Sequence, residues 1–482
     1  MPKITVSGHT WEVPDRTNLH TALREAGFPT DAPCGGNGRC GKCTVNVNGE
    51  SVHACQIYIR EDMVVSLPQK KTLQIAETDI ALKAGSIGYA LAFDIGTTSV
   101  VGYLLDGKTG KILAFDSFLN PQMAYGADVI SRIRAALGGQ MDTLQTVIRK
   151  RMTGLVQQLC DRAGIHPKQI EVLSVVGNCC MQQLFLGILP ENLAQIPYAP
   201  VLTKAKTVPA KDFLPICSNA KLLVVPDIGG FVGADTVGCV LSTKMYKNEK
   251  MTLLVDIGTN GEMVLGNYDR MIACSTAAGP ALEGANIQFG MRGTEGAIDH
   301  VWLENGELRY SVIGNTEAKG ICGSGLIDAV AAGLQMGLLN KRGRICNEDH
   351  TFRITDKIHL TQDDIRQVQL GKGAIHAGIC LMAKQLGIRV NEIEQVLLAG
   401  AFGSYMDPIS ACRIGLLPEE CEGKITPVGN AAGNGAKLLA CDPVLLQQTQ
   451  ALTEHIEFLE LASLPEFART FAKSMNFREV NP

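Results

Sequence analysis

The sequence predicts an α/β protein in two parts: a small α+β domain at the N-terminus, then a larger α/β domain built as two duplicated lobes. Three observations predict it. Four cysteines crowd into a glycine-rich stretch of the first 60 residues. An Asp-Ile-Gly-Thr phrase at residues 94–97 returns at 256–259, 162 residues later. Between and after the two copies, short apolar runs end repeatedly in glycine turns, the pattern of strands feeding a ligand crevice. The chain has 482 residues, 46% of them apolar and 19% charged, with 51 glycines. That composition suits a globular protein with many tight turns and excludes disorder. A net charge of −4 argues against a general nucleic-acid binder. No run of 18 apolar residues is present, so no membrane span is expected. The N-terminal segment alternates like a strand and lacks the apolar core of a signal peptide. Sixteen cysteines without such a signal fit a reducing compartment, the cytoplasm.

The N-terminal part, residues 1–70, reads as a hairpin over 1–14, a helix near Asn18–Ala26, a cysteine loop, a second hairpin and a strand at Val64–Leu67. Cys34, Cys40, Cys43 and Cys55 follow the spacing C-x5-C-x2-C-x11-C. Glycines between the first three let the backbone wrap closely and aim amides at sulfur, which lowers the cost of a buried anionic centre. The Asn48-Gly49 turn folds Cys55 back beside Cys43 as a cross-strand neighbour. Zinc competes as a reading, but structural zinc sites usually pair two C-x2-4-C knuckles and only one is present here. The segment resembles a ferredoxin-type [2Fe–2S] domain, a β-grasp fold, with x5 in place of the plant-type x4 in its first gap. The other twelve cysteines, the adjacent Cys179 and Cys180 included, read as small buried apolar residues.

Residues 71–88 read as a linker that is helical to about Lys83, 89–250 as the first lobe and 251–482 as the second. Each copy of the repeat, Phe93-Asp94-Ile-Gly96-Thr97-Thr98 and Val255-Asp256-Ile-Gly258-Thr259-Asn260, is a strand ending in aspartate, a small-residue turn and a second strand. Gly96 and Gly258 let amides approach a phosphate, and the hydroxyls of Thr97, Thr98 and Thr259 add donors. Asp94 and Asp256 suit Mg²⁺, which favours a few carboxylates, water and phosphate oxygens. Two such hairpins facing each other would clamp a polyphosphate. Glu262 is either a water-positioning group or an exposed strand residue. Further glycine turns follow strands at Gly177-Asn178, Asp227–Asp235, Gly279–Gly284, Gly323–Gly325 (before a helix at Leu326–Met336) and Gly400–Gly403. Each alone is an ordinary corner; in series they form one crevice.

Residues from about 90 to 470 resemble the acetate and sugar kinase, Hsp70 and actin superfamily, a ribonuclease-H-like fold. Asp94–Thr98 and Asp256–Asn260 correspond to its two phosphate motifs, Leu397–Ser404 to its adenosine motif, and Gly177 and Gly325 to its connecting segments. With the N-terminal domain included, the chain resembles the reductive activators of corrinoid proteins. The phrases Val255-Asp-Ile-Gly-Thr-Asn-Gly-Glu262, Ile321-Cys-Gly-Ser-Gly-Leu-Ile-Asp328 and Leu398-Ala-Gly-Ala-Phe-Gly403 carry that likeness. Longer members hold a further small domain between cluster and ATPase, where this chain has about eighteen residues.

The resemblance implies ATP-dependent reduction of a Co(II) corrinoid to Co(I), with Asp94, Asp256 and Glu262 in catalysis. Gly96, Thr97, Thr98, Asn178, Gly258, Thr259, Asn260, Gly279, Gly323, Gly325, Gly400 and Gly403 would then bind ATP, with Asp94 and Asp256 holding Mg²⁺ through water or orienting the attacking water. The implied partners are a corrinoid protein of a methyltransferase system and a low-potential electron donor, and a homodimer is left open. No D-x-H-x2-G signature is present, so the cobalt would belong to the partner; His376 and the other histidines form no metal motif. Two alternatives stand beside this reading: a small-molecule kinase with the cluster as a redox switch, and a non-enzymatic nucleotide-binding redox sensor.

Overall fold

The computed structural model describes residues 1–67 except 7, 27, 29 and 31–42, together with residue 82 and residues 85–478. Two compact units result, Met1–Lys71 and Thr72–Pro482. Most of the stretch read as a linker, like Cys34 and Cys40, lies outside the described residues.

In the first unit, β1 (Lys3–Val6) pairs antiparallel with β2 (His9–Glu12) and buries the alternating Ile4 and Val6. The Asn18 side chain caps helix α1 (Leu19–Glu25), accepting from the N–H of Thr21 at 3.4 Å. That helix turns Leu19, Ala22 and Leu23 inward. β3 (Thr44–Val47) and β4 (Glu50–His53) form the second hairpin. Its Asn48-Gly49 turn has φ of 51° and 98°, the pair of positive values a two-residue hairpin turn demands. β5 (Met63–Ser66) returns parallel to β1, giving the order β2-β1-β5-β3-β4. This is the ferredoxin-like β-grasp.

The second unit repeats one sheet twice. In the first lobe β6 (Tyr89–Ile95), β7 (Ser99–Asp106) and β8 (Lys111–Leu119) form an antiparallel meander, and β9 (Ile170–Gly177) lies parallel to β6. β10 (Lys206–Pro209) and β11 (Lys221–Val224) complete the order β10-β11-β9-β6-β7-β8. In the second lobe β12 (Thr252–Ile257), β13 (Gly261–Gly266) and β14 (Met271–Thr276) repeat the meander. β20 (Gln395–Ala399) lies parallel to β12, and with β21 (Ile425–Gly429) and β22 (Ile456–Phe458) the order is β21-β20-β12-β13-β14-β22. Two insertions interrupt this lobe. One is a three-stranded sheet of β15 (Ala297–Glu304), β16 (Glu307–Val312) and β17 (Gly320–Ile321); the other pairs β18 (Thr351–Arg353) with β19 (His359–Thr361).

Helices α2 (Val129–Ala135), α3 (Met141–Ala163) and α4 (Cys179–Leu186) cover one face of the first sheet, where Leu91, Phe93, Leu155, Leu173 and Phe185 share a core. On the second sheet, α6 (Gly323–Gln335) and α7 (Gln362–Leu386) do the same with Val255, Met263, Leu326, Ile375 and Leu398. A third core lies between the sheets, around α5 (Ala234–Thr243) and α10 (Ala431–Cys441). It joins Ala92 and Val101 to Leu254 and Val264. The two helices cross so closely that a Cβ on Gly435 would stand 2.3 Å from the Cα of Gly238. Helices α8 (Gly400–Gly403), α9 (Pro408–Arg413), α11 (Leu445–His455) and α12 (Phe467–Ser474) complete the second lobe. Among the described residues no helix is long and apolar enough to cross a membrane.

Candidate functional site

Each unit carries its own chemistry. In the first, the β3–β4 hairpin sets the N–H of Ala54 on the carbonyl of Cys43 at 3.0 Å, which brings the two thiols face to face. The Sγ atoms of Cys43 and Cys55 are 3.2 Å apart, in a site where the two residues are 1% and 7% exposed. Two thiolates on one tetrahedral metal with bonds of ~2.3 Å stand ~3.8 Å apart, so the pair needs to open only slightly to share an iron. The side-chain amide of Gln56 lies 3.7 Å from the Cys55 Sγ and can donate to it. Apolar neighbours (Val45, Ala54, Ile59 and Met63) enclose the pair. The residues present therefore fit an iron–sulfur centre.

In the second unit, the two copies of the repeat end in one cleft of about 250 Å³. Each turn is closed from its glycine, though one residue tighter in the second copy: the Gly96 N–H donates to the Ser99 carbonyl and the Gly258 N–H to the Asn260 carbonyl, both at 2.9 Å. The hydroxyls of Thr98 and Thr259 face each other at 3.4 Å across the cleft, and each donates to Glu283 Oε2 at 3.1 Å. Thr97 is tied down differently. Its hydroxyl accepts from the Asn178 side chain at 2.9 Å, and its carbonyl takes the buried guanidinium of Arg132. Asn178 also caps α4, accepting from the Met181 N–H at 3.0 Å. Thr97 and Asn178 thus line the cleft but spend their polar atoms holding the first hairpin in shape.

The floor of the cleft is a cluster of carboxylates. Burial, then the charges of Asp235 and Asp256, push the Asp94 carboxyl up to about 7, against a hydrogen bond from Asn430. Burial and Asp256 push Asp235 up to about 7 as well. Asp256 rises to about 6 through burial and the charge of Glu283, although the Cys239 thiol donates to it at 3.6 Å. Glu262 pairs with Asp256 across β12 and β13 and is raised by burial, Asp235 and Asp256. Several carboxyls enclosed this closely repel one another when ionised, and a divalent cation relieves that repulsion. These carboxylates suit Mg²⁺ by their chemistry, but among the described residues no three of them converge to hold a metal ion unaided, so water and phosphate oxygens would complete its shell. Gly400 has φ of 88°, and a Cβ there would stand 2.6 Å from Asp256 Oδ1, so only glycine leaves room beside this carboxylate.

Of the sequence candidates, Asp94, Asp256, Glu262, Gly96, Thr97, Thr98, Asn178, Gly258, Thr259, Asn260, Gly323 and Gly400 line the cleft. Glu262 is buried and looks into the cleft; it is not an exposed strand residue. Gly279, Gly325 and Gly403 are not among the residues that line it. Gly325 sits inside the first turn of α6, where a Cβ would stand 2.5 Å from the Ile298 carbonyl, so its role is close packing on β15. Gly403 packs on Leu398, and Gly279 turns the chain with φ of 75° into a short 3-10 helix. The cleft also holds residues that sequence reasoning did not single out: Asp235, Glu283, Arg292, Tyr405 and Asn430. Asp235 and Glu283 stand inside glycine loops that the sequence marks, but neither has a counterpart in the repeated phrase.

Comparisons with known proteins agree with this layout. A family model described as the 2Fe-2S iron-sulfur cluster binding domain matches residues 3–67. The RACo middle region matches 89–248, and the C-terminal domain of RACo, the ASKHA domain, matches 250–482. The chain is 34% identical over 562 residues of alignment to the corrinoid activation enzyme RamQ of Eubacterium limosum, covering 94% of each. It is 28% identical to the [Co(II) methylated amine-specific corrinoid protein] reductase of Methanosarcina barkeri, covering 71% of this chain and 68% of that one. The solved structure of a reductive activator for corrinoid, iron-sulfur protein superposes with a TM-score of 0.73 at 27% identity. That superposition covers 99% of this chain and 98% of the other.

Proposed function

The chain belongs to the family of reductive activators of corrinoid proteins, and from that premise we propose that it returns a corrinoid protein from Co(II) to Co(I) by ATP-dependent, one-electron reduction. One observation carries the reading: a single chain holds a pair of converging thiols and, separately, a cleft where two copies of a phosphate hairpin face each other. Cys34, Cys40, Cys43 and Cys55 would hold the [2Fe–2S] cluster, which when bound supplies one electron at low potential, near −400 mV for plant-type centres. Gln56 and the apolar wall limit solvent at Cys55 and tune that potential.

In the cleft, Asp94 and Asp256 hold Mg²⁺ directly or through water. Thr98, Thr259, Asn260 and the amides of the two glycine turns receive the phosphates. The adenosine lies toward Gly400 and Tyr405. Asp235 and Glu262, enclosed and raised, are placed to orient or accept a proton from the attacking water. Seating a polyphosphate between hydroxyls that stand 3.4 Å apart would part the two hairpins and move the lobes about the core shared by α5 and α10, giving two states that ATP can bias. Each 59 mV of uphill one-electron transfer is a tenfold factor, about 1.4 kcal/mol, so a modest bias suffices. The corrinoid comes from the partner, the electron from a low-potential donor, and the reducing cytoplasm is the compartment that suits sixteen cysteines.

The test mixes the anaerobic chain with a Co(II) corrinoid protein, a reductant and MgATP, and follows the visible spectrum. Co(I) should accumulate only with ATP present. A phosphorylated small molecule formed mole for mole with ADP, without Co(I), would replace this reading by a kinase.

A further inference from the structure

Cys322, Gly323 and Ser324 form part of the cleft wall, and α6 begins at these residues. The start of a thirteen-residue helix presents the positive end of its dipole. What fixes that end lies on the neighbouring strand. β15 shifts register between Ile298 and His300, a bulge that re-aims the residues on either side. The carbonyl of Asp299 accepts from the Ser324 hydroxyl at 2.8 Å, and its carboxylate takes the Ser311 hydroxyl at 2.6 Å. One turn along α6, Asp328 is only 4% exposed. Its Oδ2 pairs with His300 Nδ1 at 3.0 Å and accepts from the Val301 N–H at 3.4 Å. Its Oδ1 has no hydrogen-bond partner among the described residues. Two contacts, Ser324–Asp299 and Asp328–His300, therefore tie the first two turns of α6 to one bulged strand.

We propose that His300 is a positioning residue for nucleotide binding: as imidazolium it latches α6 to β15 through Asp328, and so holds the Gly323–Ser324 end of the helix in the cleft wall. The inference rests on the cleft being the nucleotide site. Three acidic groups act on His300: Asp328 from α6, Asp299 from its own strand, and Asp407 at the cap of α9. The hydrogen bond to Asp328 is the largest influence and raises the imidazole above its ordinary range; partial burial pulls the other way, and the charges of Asp328, Asp299 and Asp407 add to the rise. When His300 loses its proton, the buried Asp328 side chain faces a neutral ring. The latch weakens, and the helix end is free to shift in the wall. Coupling of this kind is reciprocal, so nucleotide bound against a latched α6 must in turn favour the proton on His300.

The experiment measures MgADP binding to the full chain by calorimetry from pH 6.5 to 8.5, for the wild type and for His300→Gln. The cleft carboxylates and the ADP phosphate titrate alike in both proteins, so the difference between the two profiles reports His300. Wild-type affinity should fall about fivefold more than that of the variant across the range. The variant should be the weaker binder at pH 6.5, and the two should converge by pH 8.5. Parallel profiles would overturn the latch while leaving the nucleotide site in place. Absence of MgADP binding to the wild type at every pH would remove the nucleotide site and the latch together. A second arm needs no substitution: the imidazole resonances of the wild-type chain are followed by NMR with and without MgADP. One histidine should titrate above the ordinary range and shift further upward with nucleotide. No such histidine, or one indifferent to MgADP, overturns the proposal even if the variant fails to fold.

Discussion

Glu283 joins the two halves of the duplicated motif, since one carboxylate oxygen accepts a hydroxyl from each hairpin. Burial raises its carboxyl, and the two hydroxyls pull it back down. It therefore stands between Thr98 and Thr259, where the proposed reading seats a phosphate oxygen, and it adds a negative charge there. Glu283→Gln keeps an acceptor for the hydroxyls and removes that charge. Between bulk water and an effective dielectric near 20, one charge about 4 Å away is worth roughly 1–4 kcal/mol. Binding of Mg²⁺-free ATP should tighten about tenfold, and the gain from adding Mg²⁺ should shrink. Calorimetry with and without the metal checks this; weaker binding in both conditions would mean that Glu283 holds the hairpins together more than it repels the ligand. The cysteines give a second residue-scale outcome. Cys55→Ser replaces a soft thiolate by a hydroxyl beside Cys43, and the anaerobic protein should retain less than about half of its iron and sulfide. Wild-type content in that variant would place the fourth ligand elsewhere. The Cys43–Cys55 contact was legible because an Asn-Gly turn fixes the hairpin register. Glu283 was not, because its partners stand 185 and 24 residues away and nothing local marks a carboxylate that will meet both.

Among the elements, α6 shows where reading by residue type misplaces a boundary. Gly323 and Gly325 look like loop residues, so a helix is expected only from Leu326; it begins at Gly323 because β15 passes too close for any side chain at 325. Packing decides what propensity alone would refuse. In helix α7, Thr361 and Asp364 form a capping box and Gly387 closes the other end in the left-handed region. Its interior holds what periodicity hides. Lys372 is 1% exposed, its ammonium bonded to the Asn476 carbonyl and 5.2 Å from the Phe477 ring. One turn on, burial first and then the charges of Lys372 and Arg478 hold the His376 imidazole down to about 4, against the Gly415 carbonyl and Glu420. A base whose folded pKa lies below its unfolded value binds fewer protons folded than unfolded. Its stabilising contribution is complete above ~6.5 and is lost as pH falls through about 4. Urea midpoints measured from pH 7 to 4.5 should therefore fall more steeply for the wild type than for His376→Gln. Equal slopes would assign the acid limb to other groups.

At the scale of the whole molecule, the duplicated sheets were legible because the repeated phrase lies on the same strand of each: β6 and β12 both run between a parallel and an antiparallel neighbour. The inserted sheets β15–β17 and β18–β19 have no counterpart in the repeat and no signal beyond local alternation. The alignment with the Eubacterium limosum relative runs over 562 residues against the 482 of this chain, so that relative holds segments this chain lacks. Cluster and ATPase nonetheless belong to one polypeptide, which raises the question of whether they act on the same partner molecule. Two full-length variants separate the functions. The double variant Cys43→Ala/Cys55→Ala removes both converging thiols, lies outside the cleft, and should bind and hydrolyse ATP while passing no electron. Asp256→Ala should keep its cluster spectrum and accept an electron from a strong reductant, yet form Co(I) at about 1% of the wild-type rate or less, the scale on which a preorganised charged group contributes. If ATP on one chain drives the electron of that same chain, an equimolar mixture of the two variants stays at background in the visible assay, because neither molecule holds both parts. Recovery of Co(I) in the mixture would show ATP on one chain driving the cluster of another. The working unit would then be a homodimer, and the covalent joining of the two units would serve assembly, with coupling carried between subunits.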